Sequence, residues 1–569
     1  MNNKTTRRQF MKKASQAGVL IGLAEGGLVI KGCSTQKEYD CIISNGIVFD
    51  GLGDEGKELD VAILGDRIAA VGNNLNKAKA AEVIDAGGLA VAPGFIDPHS
   101  HTDYLLMINP KAESKIRQGV TTEIGGNCGL SYFPFSESQF EDNKERIKKE
   151  YGFEITWKDI SGFFSRLEET GMALNFATHV GHGTVRESIV GFEDRKPDKN
   201  ELTLMKKAVR DSMDAGAVGL STGLYYAPGS YAETDEITEL CREVAALNGV
   251  HASHIRDEGD HVVESVEEVI SISEKTGVSL EIAHLKAQYS RNFSKINTVL
   301  SRITQAKNEG ISILADRYPY HASSTSLGSF FPRWAQEGST DGFMARLKDK
   351  SLDRKIREHV QEIEKKVTSW ENVVISSVIT EKNKHLEGKN IGQGASESGK
   401  SPYDFMRDLL IEEENQVSMI NFSMSEENLK KILAHPLVVP GSDGSALAPY
   451  GALRKGKPHL RNYGTFTRVL GKFVREDKVL TLPQAIRKMT SVPAGKFGLT
   501  GRGQVKEGYF ADLVVFDPDS VNDRSDWLNP HQYPVGIEYV IVNGRMVIKE
   551  GEHTGTLPGM VLKKGVAGV

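Results

Sequence analysis

The sequence predicts an α/β fold: a (β/α)8 TIM-type barrel that carries a small β-domain built from both ends of the chain. Two observations lead to this prediction. Short apolar runs alternate with amphipathic helical patterns through the middle of the chain, and strand-like runs return near both ends. Eight alternations over about 350 residues favour a closed barrel over an open sheet. The eight candidate barrel strands are Leu89–Ile96, Thr121–Gly125, Leu174–His179, Val218–Ser221, Val250–His254, Leu280–His284, Ile311–Tyr318 and Leu437–Gly441.

Both ends of the chain contribute strand-like runs to the predicted β-domain. Such runs occupy 41–51 and 60–72 near the start, and 511–517 and 539–547 near the end. The stretch between the seventh and eighth strands is too long for one connecting helix, so we expect an inserted subdomain over the barrel mouth. The predicted boundaries are 1–33 for a leader, 38–90 and 495–569 for the β-domain, 91–494 for the barrel, and 325–430 for the insertion.

Composition and charge exclude several classes of protein. The chain has 569 residues, of which 39% are hydrophobic and 26% charged, as in a soluble globular protein with a sizeable core. Lys and Arg number 70 against 76 Asp and Glu, which gives a net charge of −6. This charge provides no basis for binding nucleic acid or an anionic membrane surface. The four cysteines, Cys33, Cys41, Cys128 and Cys241, are too few and too scattered for a disulfide framework.

The first 33 residues have the pattern of an export signal. Thr6–Lys12 contains a twin-arginine motif, which resembles the signal of proteins exported already folded. The mildly apolar run Ala14–Ile30 is interrupted by Glu25, so no transmembrane domain is expected. Ile30–Cys33 resembles a lipoprotein cleavage box. The predicted location is therefore the bacterial cell envelope, in the periplasm, with lipid anchoring at Cys33 left open.

Metal-ligating side chains follow several of the predicted barrel strands. His99 and His101 lie two residues apart on extended backbone, so both side chains point the same way and can reach one ion. Cys128 lies in a Gly-Gly-Asn-Cys-Gly loop, which is poor core material, so a thiolate ligand is favoured over packing. His254 and His284 end two further strands. With Cys128 they form the three-ligand nitrogen and sulfur set expected of a zinc site with an open position.

An aspartate follows the eighth predicted strand. Asp443 lies in a Gly-Ser-Asp-Gly segment, where an aspartate can serve simply as a turn residue. In the predicted barrel, however, this position is beside the metal ligands. A carboxylate there is the natural general base for activating water.

These residues together resemble the amidohydrolase superfamily. The resemblance rests on Gly94–Asp103, Gly119–Gly129, the strand ends at His254, His284 and Asp443, and Gly508–Val514. Within the superfamily, the chain is similar to the N-acyl-D-amino-acid deacylases, or D-aminoacylases. That similarity is carried by Cys128 and by the segments 316–320, 331–338, 441–444 and 463–466. It extends from about Tyr39 to Gly551, nearly the whole chain after the leader.

The resemblance implies an activity and a role for each site residue. The implied reaction is zinc-dependent hydrolysis of the amide bond of N-acyl-D-amino acids, with Asp443 as general base and then acid. The implied metal ligands are Cys128, His254 and His284 for one tight zinc, with His99 and His101 sharing Cys128 at a second, weaker position. The implied substrate-binding residues are Lys286, Tyr318, Ser324 and Arg461 for the α-carboxylate, and Tyr226 near the scissile amide. The His459–Arg461 segment departs from the His-Pro-Arg pattern of the family, because residue 460 is leucine.

Three other functions are compatible with parts of this pattern. A cyclic-amide hydrolase, such as a hydantoinase or dihydroorotase, has the same fold but typically uses a carboxylated lysine where this chain has Cys128. A catalytically dead binding protein of the cell envelope is disfavoured because Asp443 and all the metal ligands are present. A phosphoesterase of the His-x-His type would need additional ligands that are not evident. The preference for D-amino acids rests wholly on the resemblance.

Overall fold

The structure is a computed structural model that describes residues 37–565, so the predicted leader, 1–33, lies outside the described residues. The fold is mixed α/β, as the sequence predicts. The strands are β1 Tyr39–Val48, β2 Lys57–Leu64, β3 Arg67–Gly72, β4 Ala80–Asp85, β5 Ala90–Pro93, β6 Phe95–Asp97, β7 Val120–Gly125, β8 Asn175–Thr178, β9 Val180–Gly181, β10 Gly219–Gly223, β11 Val250–His254, β12 Ser279–Ile282, β13 Ile313–Arg317, β14 Ser323–Ser326, β15 Val373–Ser377, β16 Ser418–Asn421, β17 Val438–Pro440, β18 Leu513–Phe516, β19 Ile537–Val542, β20 Arg545–Lys549 and β21 Glu552–His553.

Helices occupy most of the chain between these strands. The α-helices are α1 Leu105–Ile108, α2 Glu113–Ile116, α3 Glu137–Tyr151, α4 Ile160–Thr170, α5 His182–Ile189, α6 Lys199–Asp214, α7 Thr234–Ala246, α8 Val262–Thr276, α9 Lys295–Asn308, α10 Arg333–Gln336, α11 Ser339–Lys348, α12 Asp353–Val367, α13 Ile391–Ser398, α14 Pro402–Glu412, α15 Glu426–Ala434, α16 Arg461–Arg468, α17 Leu482–Met489 and α18 Ser491–Phe497. A π-helix, Val469–Glu476, continues α16. No helix of residues 37–565 is long and apolar enough to cross a membrane.

One sheet combines strands from both ends of the described chain. Its order is β21-β20-β19-β18-β5-β1-β2-β3, with β4 paired to β1. The two ends meet where β18 pairs antiparallel with β5, so that Val514 lies opposite Ala92. Alternating apolar side chains, such as Ile43, Val61 and Ile541, form a core beneath this sheet. The strand-like runs recognised at the two ends of the sequence therefore belong to a single sheet.

The strands of the central region are parallel. One sheet has the order β6-β7-β8, and another has the order β17-β13-β12-β11-β10-β9. Only His179 separates β8 from β9 along the chain, and Ser100, after β6, forms a parallel bridge with Gly444, after β17. Because neighbouring strands run in the same direction, their carboxyl ends lie at one edge, where active-site residues gather in such folds.

The first predicted strand, Leu89–Ile96, is divided in the structure. Its first part, β5, joins the sheet built from both ends, and its second part, β6, pairs with β7. The division falls at Gly94, where a Cβ atom would collide with the side chain of Thr121. A single apolar run therefore serves two sheets, which a pattern of hydrophobic residues alone does not reveal.

The residues between β13 and β17 contain an antiparallel sheet of their own. Its order is β14-β16-β15, and helices α11 to α14 pack beside it. Leu327, Phe330, Trp370 and Met406 belong to an apolar cluster that is separate from the cluster beneath the parallel strands. This region thus builds its own core.

Amphipathic helices cover the parallel strands. Helix α7 buries Ile237, Leu240 and Val244, which are spaced three and four residues apart, and α8 ends at Gly277 with a positive φ of 74°. In the sequence, amphipathic patterns at 235–247 and 261–276 mark these two helices to within one residue at each end. Cys241 is buried within α7, and burial raises the pKa of its thiol, as expected of a packing cysteine.

Candidate metal centre and active site

All the predicted metal ligands and the predicted base meet at the carboxyl edge of the parallel strands. They come from five different strands, so the fold and not local sequence brings them together. His99 and His101 follow β6, Cys128 follows β7, His254 ends β11, His284 follows β12 and Asp443 follows β17.

A first group of ligand atoms comprises Cys128, His254 and His284, which lie within 4.8 Å of one another. Cys128 Sγ is 3.5 Å from His284 Nε2, which is 3.0 Å from His254 Nδ1. Zinc bonds of about 2.0–2.1 Å to nitrogen and about 2.3 Å to sulfur place such atoms about 3.6 Å apart at a tetrahedral angle. The spacing and the donor types therefore fit a zinc ion.

A second group comprises His99, His101, Cys128 and Asp443. Cys128 Sγ is 3.4 Å from His99 Nε2, and Asp443 Oδ1 is 3.0 Å from His101 Nε2. Cys128 belongs to both groups, so its sulfur lies between two potential metal positions. This arrangement is the one that the resemblance implied, with Asp443 added to the second group.

Charge within the site stabilises a thiolate and a carboxylate. Burial raises the pKa of Cys128, but the charges of His99 and His284 outweigh burial and hold that pKa well below its ordinary value. Burial likewise raises the pKa of Asp443, but Arg461 and the nearby histidines hold it well below its ordinary range. Both groups are therefore available as anions.

The surroundings of the second group raise the pKa of both of its histidines. Burial lowers the pKa of His99, but Asp316, Cys128 and Asp443 outweigh it and hold the pKa well above its ordinary value. Burial is likewise outweighed at His101, where Asp443 and Cys128 raise the pKa to about 9. A metal ion that binds these histidines must displace their protons, so its affinity depends on pH.

Three of the site residues adopt left-handed backbone conformations that side-chain-bearing residues rarely occupy. The φ angles are 52° at Cys128, 37° at His284 and 50° at Asp443. Such conformations cost of order 1–3 kcal/mol each and persist where the surrounding structure enforces them. Here each one turns a side chain at a strand end toward the shared site.

The predicted substrate-binding residues line one cavity with the ligand groups. Its volume is about 790 Å³, and its wall includes all five of these residues: Lys286, Tyr318, Ser324, Arg461 and Tyr226. Arg461 Nη1 donates to Asp443 Oδ2 at 2.6 Å, and Lys286 Nζ pairs with Glu258. The Tyr318 hydroxyl is buried without a hydrogen-bond partner among the described residues, although its ring lies 5.0 Å from the Arg461 guanidinium carbon. An unpartnered hydroxyl beside two cations suits an anionic ligand.

Two carboxylates that support these residues are not singled out by the sequence analysis. Asp316 accepts from His99 Nδ1 at 2.9 Å, and Glu258 lies 2.9 Å from His284 Nδ1. Burial raises the pKa of Glu258, but Lys286, His254 and His284 outweigh it and hold that pKa below its ordinary value. Asp316 lies near the end of the predicted strand Ile311–Tyr318, and Glu258 follows His254 by four residues. Those positions are the signal that could have identified them.

A third such residue is a fully buried lysine. Lys115 Nζ lies 2.8 Å from Asp97 and 2.9 Å from Glu123, and it donates to Ser442 Oγ at 2.6 Å and to Gly444 O at 3.2 Å. Because Ser442 and Gly444 are the two neighbours of Asp443 in the chain, these bonds hold the backbone on both sides of Asp443. The short helix α2 that carries Lys115 has no motif that would mark the lysine in the sequence.

Comparison with known proteins agrees with this geometry. Residues 82–548 match the model of the amidohydrolase family. The chain belongs to the amidohydrolase family. This chain is 34% identical to D-aminoacylase of Alcaligenes xylosoxydans xylosoxydans over 535 residues, which is 94% of this chain and 99% of that protein. The family model spans more than half of the chain, and the relative is matched over nearly its full length.

Solved structures of related amidohydrolases superimpose over most of the chain. N-acyl-D-glutamate deacylase from Bordetella bronchiseptica, complexed with zinc and a phosphonate inhibitor that mimics the tetrahedral intermediate, has a TM-score of 0.79 at 32% identity. The match covers 93% of this chain and 100% of that one. A D-aminoacylase, described as having a binuclear metal centre with one-metal activation and second-metal attenuation, has a TM-score of 0.78 at 34% identity. The match covers 92% of this chain and 100% of that D-aminoacylase chain.

Proposed function

We propose that this amidohydrolase hydrolyses the amide bond of N-acyl-D-amino acids with the help of zinc, releasing a carboxylate and a free D-amino acid. One observation carries the proposal: two metal-ligand groups share Cys128 in the same cavity as Lys286, Tyr318 and Arg461. Membership of the amidohydrolase family and similarity to D-aminoacylase support it. The preference for the D configuration follows from those relatives.

Cys128, His254 and His284 would hold the principal zinc, and His99 and His101 would contribute to a second, weaker position. Bound zinc lowers the pKa of water from 15.7 to about 7 and polarises a carbonyl group. Asp443 would take the proton of the water and return it to the leaving nitrogen, while Arg461 Nη1 at its Oδ2 and His101 Nε2 at its Oδ1 hold the carboxylate in place. Such proton transfer contributes roughly 10²–10⁴-fold to the rate.

The substrate's α-carboxylate would be held by Lys286, Tyr318, Ser324 and Arg461. Two cations and two hydroxyls supply charge-assisted hydrogen bonds, which fix the orientation of the scissile amide. Tyr226 stacks edge-on to His254, with ring centroids 4.9 Å apart, and so stands beside the first ligand group, near the amide. Its hydroxyl bonds to Thr325 Oγ1 at 2.9 Å.

The charges around the cavity favour a substrate with a neutral amino-acid side chain. Apart from histidines, the basic residues on its wall are Lys286, Arg461 and Lys455 among the described residues. Each of them is paired in the structure, with Glu258, Asp443 and Glu150 respectively, and the first two would have to share their charge with the α-carboxylate. A second carboxylate on the substrate would enter the cavity without a free cation, which is costly in a buried site.

Three further proposals concern architecture and location. We propose that eight strand positions, formed by β6, β7, β8 with β9, β10, β11, β12, β13 and β17, close into a (β/α)8 barrel, supported by the bridge between Ser100 and Gly444. The region 325–430 would then be an insertion over the barrel mouth, since Thr325, Ser326 and Met419 lie on the cavity wall. The twin-arginine pattern supports a location in the periplasm, with lipid anchoring at Cys33 left open.

Hydrolysis of paired N-acetyl-D- and N-acetyl-L-amino acids, with metal analysis of the same sample, tests the proposal. The panel should include neutral and acidic side chains, together with cyclic ureides. We expect zinc in the protein and turnover of the D substrates with neutral side chains. Turnover of the cyclic ureides alone would replace the proposal with a cyclic-amide hydrolase, and zinc without turnover would support a binding protein.

A further inference from the structure

A buried carboxylate lies between the first ligand group and the predicted anchor of the substrate carboxylate. Glu258 is 8% exposed, and its Oε1 atom contacts Lys286 Nζ. The same oxygen lies 2.9 Å from His284 Nδ1 and 3.7 Å from His254 Nε2. Its other oxygen accepts from Gln288 Nε2 at 3.1 Å. One side chain therefore contacts a predicted metal ligand, His284, and the substrate anchor, Lys286, and lies close to a second ligand, His254.

The contact with His284 fixes which ring nitrogen can bind metal. His284 Nε2 faces Cys128 Sγ and His254 Nδ1, so this nitrogen must keep its lone pair for a metal ion. Nδ1 then carries the proton and donates it to Glu258. A carboxylate in this position fixes the ring orientation and makes the metal-binding nitrogen more basic.

The contact with Lys286 fixes the anchor. A lysine side chain has four rotatable carbons, so its ammonium group needs a partner to hold one position in a cavity of this size. Glu258 provides that partner, because Lys286 is 3% exposed and its other polar neighbour, at 2.8 Å, is His284 Nδ1. Since this Nδ1 donates its proton to Glu258, it cannot accept one from Lys286.

We propose that Glu258 is a positioning residue that serves the metal site and the substrate anchor at once, by orienting His284 for zinc and holding Lys286 for the substrate's α-carboxylate. The second half of this inference rests on the proposed function. The first half concerns zinc affinity alone. Loss of Glu258 should therefore weaken zinc binding and raise KM for the substrate, and the two effects can be measured separately. A residue with a purely structural role would not produce them independently.

The zinc half is tested with metal-free protein and a zinc-chelating dye. Glu258→Gln should weaken zinc binding roughly 10–100-fold, as is typical when a carboxylate behind a histidine ligand is removed. Lys286→Met should not weaken zinc binding, because it removes a cation next to the site and leaves the carboxylate in place. Gln288→Leu is the matched control, since it removes the contact with the other oxygen of Glu258, and it should change the affinity by no more than about twofold.

The substrate half is tested by kinetics at saturating zinc. Glu258→Gln should raise KM for an N-acetyl-D-amino acid more than it lowers kcat, because Lys286 loses its fixed position. Lys286→Met should raise KM in the same way while keeping zinc. Gln288→Leu should leave KM close to that of the wild type. A raised KM with normal zinc affinity thus indicates that the Lys286 anchor is disturbed. A weakened affinity for zinc indicates that His284 is disturbed.

Glu258→Gln leaves Lys286 buried without a charged partner and can impair folding. The double variant Glu258→Gln with Lys286→Met removes both buried charges together, and it should bind zinc as weakly as Glu258→Gln. Zinc affinity within about twofold of the wild type in the single or the double variant would overturn the role toward His284. An unchanged KM in Glu258→Gln at saturating zinc would overturn the role toward Lys286. A wild type that hydrolyses no N-acyl amino acid would overturn the proposed function and the Lys286 half, while the zinc measurement still decides the His284 half.

Discussion

Replacing Asp443 with asparagine separates proton transfer from metal binding. The change is nearly isosteric, but an amide cannot accept the proton of an attacking water. We expect kcat to fall roughly 10²–10⁴-fold, the usual contribution of a positioned base. At 1.36 kcal/mol for each tenfold change, the barrier rises by roughly 2.7–5.4 kcal/mol. Zinc should stay bound, because Asp443 is absent from the group formed by Cys128, His254 and His284.

The cost in stability should be smaller than the cost in rate. Arg461 pairs with Asp443 at 2.6 Å, and their side chains are 10% and 8% exposed. The asparagine oxygen still accepts a hydrogen bond from Arg461, so the free energy of unfolding should fall by no more than roughly 3 kcal/mol. The folded fraction at the assay temperature then stays high, which allows the loss of kcat to be assigned to chemistry.

The assay combines steady-state kinetics on an N-acetyl-D-amino acid with zinc analysis of the same preparation. Glu187→Gln is a matched control, because it makes the same carboxylate-to-amide change on the cavity wall at a residue outside both ligand groups. It should retain kcat. If Asp443→Asn keeps most of its kcat with zinc bound, then Asp443 does not transfer the proton and the mechanism is wrong.

Three further changes test other parts of the site. Cys128→Ser should lose most of the zinc, because a hydroxyl is a far poorer ligand than a thiolate. The control variant Cys241→Ser, at a packing cysteine, should keep its zinc. Equal zinc content in the two variants would show that Cys128 is not a metal ligand. Amidation of the substrate carboxylate should lower kcat/KM by roughly 10²–10⁴ in the wild type and little further in Lys286→Ala. Equal wild-type rates on acid and amide would mean that the cavity recognises another feature. Lys115→Met should lower the free energy of unfolding by roughly 3–5 kcal/mol, because the buried carboxylates of Asp97 and Glu123 lose their counter-ion. Urea denaturation measures this change, and an unchanged midpoint would contradict it.

The strand-end residues could be predicted because chemistry concentrates there. His99, Cys128, His254 and Asp443 each interrupt an apolar pattern at the point where a buried strand ends. A polar group at such a point is costly unless it has a partner. Grouping them needed only the rule that the ends of parallel strands share one edge. The structure places their ligand atoms within two groups that share Cys128, a division that only the family resemblance implied.

The supporting residues could not be predicted in the same way. Lys115 and Glu258 are charged side chains on helical or loop segments, where the sequence pattern is that of an ordinary solvated surface. Their burial depends on which distant segments cover them: Lys115 meets Ser442, 327 residues later in the chain. Likewise, the division of Leu89–Ile96 between two sheets depends on contacts with strands far away in the sequence. Hydrophobic periodicity indicates that a segment is buried, but it does not indicate which other segment packs against it.

The sheet that joins β5 to β18 has a consequence for the order of events during synthesis. A ribosome must add more than four hundred residues between these two strands, so β5 has no partner on that side until Leu513–Phe516 has emerged. The last described residues matter too, because Val561 forms a bridge with Phe176. Premature termination anywhere before β18 would leave Val91 and its neighbours as an open, apolar edge that favours aggregation. Completion of this sheet therefore waits for strands more than four hundred residues downstream of β5, and any folding before then proceeds with that edge of β5 unpaired.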